Sequence, residues 1–133
     1  MSYEDVVGGL QTQLTAELTD LVSVLAYEPT GINDVPMMYL LFDGADVSHA
    51  SQVVTVLVEI TARLIVRWQD NEEAEEEIFP YIDDVIDAVR ADPYLGGHAM
   101  GAWVTRIEGA WVTIGQVVYR AIDFTVRVKY QRS

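Results

Sequence analysis

The sequence predicts an α+β fold in a single domain spanning residues 1–133: one antiparallel sheet of about four to five strands with two helices on one face, in the order α-β-β-α-β-β-β. Three observations carry that expectation. Residues 53–68 and 117–130 alternate apolar with polar side chains at a period of two, the signature of strands with one buried face. Residues 3–26 and 71–91 repeat apolar side chains three and four apart, as amphipathic helices do. The second helical stretch is bracketed by strong signals, a run of acids at its start and Asp92, Pro93, Gly96 and Gly97 at its end.

In the first helix Val6, Leu10, Leu14, Leu18, Leu21, Val22 and Leu25 fall on one side. Ser2 and Asp5 approximate a capping box, and acids here favour the positive end of the helix dipole. Gly8 and Gly9 each cost roughly 1 kcal/mol against alanine inside a helix, so they point to fraying or to a close backbone contact. Pro29, Gly31, Asn33, Asp34 and Pro36 mark residues 27–36 as an ordered loop. The wholly apolar residues 37–42 read as a short buried strand. Residues 43–51, rich in Gly, Ala and Ser with Asp43, Asp46 and His49, read as a flexible loop.

Along residues 53–68 every even position is apolar, while Thr55, Glu59, Thr61, Arg63 and Arg67 take the wetter face; β-branched residues dominate, as strands prefer. Helix two presents Ala74, Ile78, Ile82, Val85, Ile86 and Val89 inward. Pro80 is expected to kink it or mark its effective start. A meander is expected next, with strands at 102–107, 111–114 and 117–130 and turns at Glu108-Gly109 and Gly115-Gln116. In a simple hairpin, Trp103 and Trp111 flank the first of these turns as neighbours on one surface, either as cross-strand packing or as a protein interface. Arg120 breaks the apolar face of the last strand, so it must reach the rim or pair with an acid within or across subunits.

The charge balance narrows the function. A net charge of −13 without a contiguous basic cluster disfavours nucleic acid or anionic lipid as a ligand, since such binding rests on Lys and Arg. With no cysteine, disulfides and thiolate metal sites are excluded. No signal-peptide pattern and no apolar run of membrane-spanning length occurs, so a soluble, unexported protein is expected. The acids from Asp70 to Glu77 lack the alternation and central glycine of a calcium loop and read as a solvated helix face. Gly96, Gly97 and Gly101 follow a helix rather than a strand, which argues for a turn over a phosphate cradle. His49 and His98 have no recognisable nucleophile partner. No catalytic, cofactor or metal site is expected.

Short motifs tie these elements to a family. Pro29, Ile32, Asn33, Asp34 and Pro36 in the first loop, Glu73, Ala74 and Glu75 opening helix two, Asp92, Pro93, Leu95, Gly96 and Gly97 closing it, and Tyr119, Arg120 and Ala121 in the last strand resemble the tail terminator (minor tail) proteins of long-tailed phages and prophages. The resemblance covers nearly the whole chain and departs from the family in the double glycine of helix one and the few basic residues. It implies a small α+β domain that forms a ring of six copies on the end of the tail tube, stops tube polymerisation and offers a surface to the head connector. The expected partners are therefore further copies of the chain, the tail tube protein and a head-tail connector or neck protein, in the virion after assembly in the host cytoplasm. DNA passes through without being bound, and no membrane is involved.

For such a ring, the basic strands and acidic helix suggest lateral head-to-tail pairing, with Arg63, Arg67, Arg120 and Arg127 opposite Glu72, Glu75 and Glu76. Acids facing the channel would repel passing DNA. The segment with Asp43, Gly44, Asp46 and His49 is the expected contact with the last tube ring. Another neck component, such as a head completion or head-tail joining protein, is the nearest alternative. A small cytosolic ligand-binding or metal-dependent hydrolase domain is the reading from a different class.

Overall fold

A computed structural model of the chain describes residues 1–32 and 34–132. The elements are helix α1 (Tyr3–Glu17), strand β1 (Val24–Leu25), strands β2 (Met37–Ala50) and β3 (Val53–Arg67), helix α2 (Asn71–Ala91), a 3-10 turn at Leu95–Gly97, and strands β4 (Gly101–Ile114) and β5 (Val117–Arg132). The fold is α+β, with five strands in the order β1-β2-β3-β5-β4. All neighbours are antiparallel except the two-residue β1, which pairs parallel to β2. Asn33, part of the first-loop motif, lies outside the described residues.

Both helices cover one face of the sheet. The main core joins Val6, Leu10 and Leu14 of α1 and Ala74, Ile78, Val85 and Val89 of α2 to the even positions of β3 and β5. Ile82, expected to face fully inward, is half-buried, and Ile86 is also half-buried. Tyr81 and Ala88 are buried instead, so the inner stripe follows 74, 78, 81, 85, 88. Asp70 starts α2 by accepting from the Glu73 amide at 2.8 Å. The helix runs through Pro80, which is neither its start nor its end.

Other expectations change. Helix one was expected to reach residue 26, but α1 ends at Glu17 with Leu18 leaving helical geometry. Asp20, Val22, Ser23 and Val24 are mediocre helix formers, and β2 offers them an alternative: Val24 pairs with Met38, and the Gln11 side-chain amide holds the Val24 carbonyl at 2.8 Å. The segment 43–51 is not a loop. Residues 43–50 are the outer half of β2, paired with β3 as far as Ala50 and Val53. An irregularity between Phe42 and Gly44 shifts the register there, which breaks the alternation that would have advertised a strand.

Glu108-Gly109 is not a turn either, because β4 runs unbroken from Gly101 to Ile114; the chain reverses only at Gly115 and Gln116, both at positive φ. A second shift between Val104 and Arg106 reverses the side-chain parity of β4. Trp103 therefore shares the open face with Arg127, whereas Trp111 shares the helix face with Arg120. The two tryptophans lie on opposite faces instead of together. Finally, one end of the open face is not wet: residues Met37, Tyr39, Ile65, Tyr119 and Ala121 form a second, smaller core beneath Leu25, Ile32 and Val35.

The double glycine in α1 divides by function. A Cβ on Gly9 would meet the Leu95 carbonyl oxygen at 2.7 Å, so the helix and the turn after α2 touch backbone to backbone there; Gly8 faces open space. Gly8→Ala is expected to stabilise the protein by up to about 1 kcal/mol through helix propensity, and Gly9→Ala to destabilise it by about 1–3 kcal/mol through overpacking. Urea unfolding of the two variants checks this, and the same sign for both would contradict the packing.

Candidate assembly surfaces

The open face of the β3–β5 pair is built on opposed charges. Arg63 lies directly across from Asp123, and its guanidinium donates twice to that carboxylate, at 2.7 and 2.8 Å. Two rungs away, Glu59 lies across from Arg127 and accepts from its Nε at 2.9 Å. Thr61 and Thr125 face each other between them. The sign reverses from one ion pair to the other, so a four-residue slip would oppose Arg63 to Arg127, or Glu59 to Asp123. Like charges directly opposed are unfavourable, and the ladder therefore holds one register.

The Asp123 hydrogen bonds push the Arg63 pKa further up, so its charge is permanent in the working pH range. Beside it, burial pushes the Tyr39 hydroxyl upward, with Arg63 acting in the opposite sense. That hydroxyl is buried and makes no hydrogen bond within the described residues. Arg106 and Glu108 form a third, more exposed pair on β4. These groups surround an open hollow of about 670 Å³, but the carboxylates and guanidinia in it face one another.

Arg120 resolves in favour of a partner within the chain. Its Nε donates to Glu75 of α2 at 2.7 Å, its NH1 donates to the Ala110 carbonyl at 2.7 Å, and its guanidinium sits 4.8 Å from the Trp111 ring centroid. Trp111 in turn meets Trp68 edge to face at 5.4 Å, and the Trp68 Nε1 donates to Asn71 beside the α2 start. Gly109 makes this possible, since a Cβ there would stand 2.9 Å from the Arg120 guanidinium. The glycine read as a turn is a seat for an arginine. One device thus fastens α2, β4 and β5.

Of the arginines expected at subunit contacts, Arg63, Arg120 and Arg127 are each engaged by an acid of the same chain. Arg67 makes no ion pair within 4 Å among the described residues. It lies near Glu77, whose carboxyl is pushed up by burial and pulled back by the Arg67 charge. Glu72 and Glu76 are exposed on α2. Charge is sorted by layer: α2 carries eight acids (Glu72, Glu73, Glu75, Glu76, Glu77, Asp83, Asp84, Asp87) against Arg90, and all other basic residues lie on β3, β4 and β5.

Two ends of the sheet differ. At one, the β2–β3 hairpin reaches past β4 as an arm, with Asp43, Asp46, Val47 and His49 exposed. At the other, Ile32, Val35, Trp68, Val117 and Val118 line an open hollow of about 370 Å³. The arm went unrecognised because its register shift hides the strand; the only sequence signal for it was Val47 alternating with the small residues around it.

No group of three or more His, Asp or Glu side chains is placed to hold a metal ion among the described residues, and no helix there is long and apolar enough to cross a membrane. No protein-family model matches the chain. No curated protein matches it. Among solved structures it is similar to a chain of the virion of a native gene transfer agent particle, with a TM-score of 0.50 and 14% identity over 98% of this chain and 100% of that one. At that identity the likeness establishes a shared fold.

Arg120→Ala is expected to cost about 1–3 kcal/mol, because Glu75 and the Ala110 carbonyl lose their donor and the Trp111 ring its cation. A double-mutant cycle with Glu75→Ala should show coupling of about 1 kcal/mol by urea unfolding. Additive effects would mean that the pair does not bind α2 to the sheet.

Proposed function

We propose that this protein is a structural, non-enzymatic virion component of the tail terminator type. It forms a ring that caps the tail tube, stops tube polymerisation and presents a surface for joining the head connector. The observation that carries the reading is the end-to-end likeness of fold to a chain of a virion particle, taken with the terminator-like motifs along the sequence. Those motifs occupy fold-defining places: Asp92 accepts from the Gly96 amide at 2.8 Å, Leu95 is buried against α1, and Arg120 seats α2 on the sheet.

The layering of charge suits a channel-forming ring. A sheet in which Arg63, Arg106, Arg120 and Arg127 are each paired with an acid of the same chain offers less to phosphates, and an acidic helix layer repels them, so DNA can pass without sticking. The arm bearing Asp43, Gly44, Asp46 and His49 is the contact with the last tube ring. As a paired strand it is preordered, so docking costs less entropy than ordering a loop would. Arg67, which makes no ion pair within 4 Å among the described residues, is a cation available to meet the exposed Glu72 or Glu76 of a neighbouring copy.

Tube protein polymerised in the presence of this chain should give tubes that stop elongating and carry a ring at one end in negative-stain micrographs. Replacing residues 46–51 by a two-residue turn should leave the melting temperature nearly unchanged and abolish capping. Continued elongation with the intact chain would reject the terminator reading. A ring that binds the head connector but never the tube would assign the chain to another neck component.

A further inference from the structure

Among the described residues, the two outer edges of the sheet are long and without strand partners. Strand β1 covers β2 at Met38 and Tyr39, so residues 41–50 present an outer row of backbone N–H and C=O groups that no other described strand meets. On the far side, β4 has β5 on its inner edge and no strand on its outer edge. There the Arg120 guanidinium reaches one carbonyl, that of Ala110. Unpaired edges of this length template strand addition from another chain.

Strand direction says which chain can fill them. β2 and β5 run toward the arm, whereas β3 and β4 run away from it. A copy placed beside β4 by rotation about an axis along the strands therefore brings its β2 alongside antiparallel, the more stable polarity. One continuous sheet results, and repetition of the step closes a ring. Charge favours this arrangement over a two-fold contact. Two β2 edges meeting would bring Asp43 and Asp46 together with their counterparts, whereas β4 offers Arg106, level with Leu41 and two residues from Asp43. Positions also match in height: Gly44 and Trp103 occupy one open-face row through Glu59 and Arg127.

We infer that copies of this chain join edge to edge, the first half of β4 in one against residues 41–46 of the next, and that this hydrogen-bonded seam closes the ring. The inference rests on the ring reading above, but the seam is tested apart from the tail.

The chain has no cysteine, which makes disulfide trapping clean. Gly44→Cys, Asp46→Cys or Ser48→Cys, all on the open face of β2, is combined with Trp103→Cys on the open face of β4. Within one chain these positions are three strand spacings apart, about 14 Å along the sheet, beyond the roughly 7 Å that a disulfide spans. Oxidation of concentrated protein should give, for one of the three pairs, a ladder ending in a closed oligomer that holds more than half of the material. Neither parent single variant should form covalent dimers. A monomer in all three pairs overturns the seam, as does a dimer from a β2 single variant, which would mean a two-fold contact.

Proline supplies a second readout. Of the adjacent edge residues Ala45 and Asp46, both at the level of β4, one N–H faces β3 and the other faces outward. The proline variant that keeps its melting temperature is the outward one, and sedimentation should show its self-association weakened at least tenfold. Unchanged association in that variant overturns the proposal. A disulfide ladder from a protein that fails to cap tubes would leave the seam standing and remove the terminator role. Capping by a protein that yields no ladder would do the reverse.

Discussion

The antiparallel pairing of β3 with β5 is the constraint on which the rest of this structure depends. One face of the pair supplies the apolar floor for both helices, through Val58, Ile60, Leu64, Phe124, Val126 and Val128. The other face fixes the register by alternating the sign of its cross-strand ion pairs, Arg63 to Asp123 and Glu59 to Arg127. Such pairs add only about 0.2–1 kcal/mol each, so their value lies in excluding slipped alternatives rather than in total stability. Once this ladder is set, the hairpins β2–β3 and β4–β5 place one long strand at each outer edge.

A second fastening turns the sheet and helices into one body. Arg120 lies on the helix face of β5, and it is held by Glu75, the Ala110 carbonyl and the Trp111 ring. Removing one partner would strand the others, which is how a partly buried charge enforces a specific helix position. The same logic explains Gly109, whose missing side chain leaves the volume that the guanidinium fills. The resulting surfaces are mostly prearranged, as suits a component that assembles by docking rather than by folding on its partner.

The sequence made much of this legible where periodicity is unbroken. The alternation of Val53–Arg67, the inward Ala74, Ile78, Val85 and Val89 of α2, the Asp70 start and the Gly115-Gln116 turn all follow from local rules that the tertiary structure did not override. Failures cluster where a single residue shifts the count. The irregularities beside Asp43 and Thr105 each flip side-chain parity, so residues 43–50 looked like a loop and Trp103 and Trp111 looked like neighbours. Residues 18–25 kept helical spacing by accident of Leu18, Leu21, Val22 and Leu25, while pairing with Met38 and Tyr39 decided their conformation. Arg120 could be flagged from its place on an apolar face. Its partner, 45 positions away on another element, could not be read from a local pattern.

In the proposed role, the chain is a building block whose sheet edges mate with copies of itself while its arm grips a tube. A cryo-electron microscopy reconstruction of the neck of the assembled particle tests that most directly. The prediction is a closed ring of this chain at the head-proximal end of the tube, with the arm turned toward the last tube ring. Density for the chain away from the tail axis, or as an isolated monomer bound to another component, would contradict it.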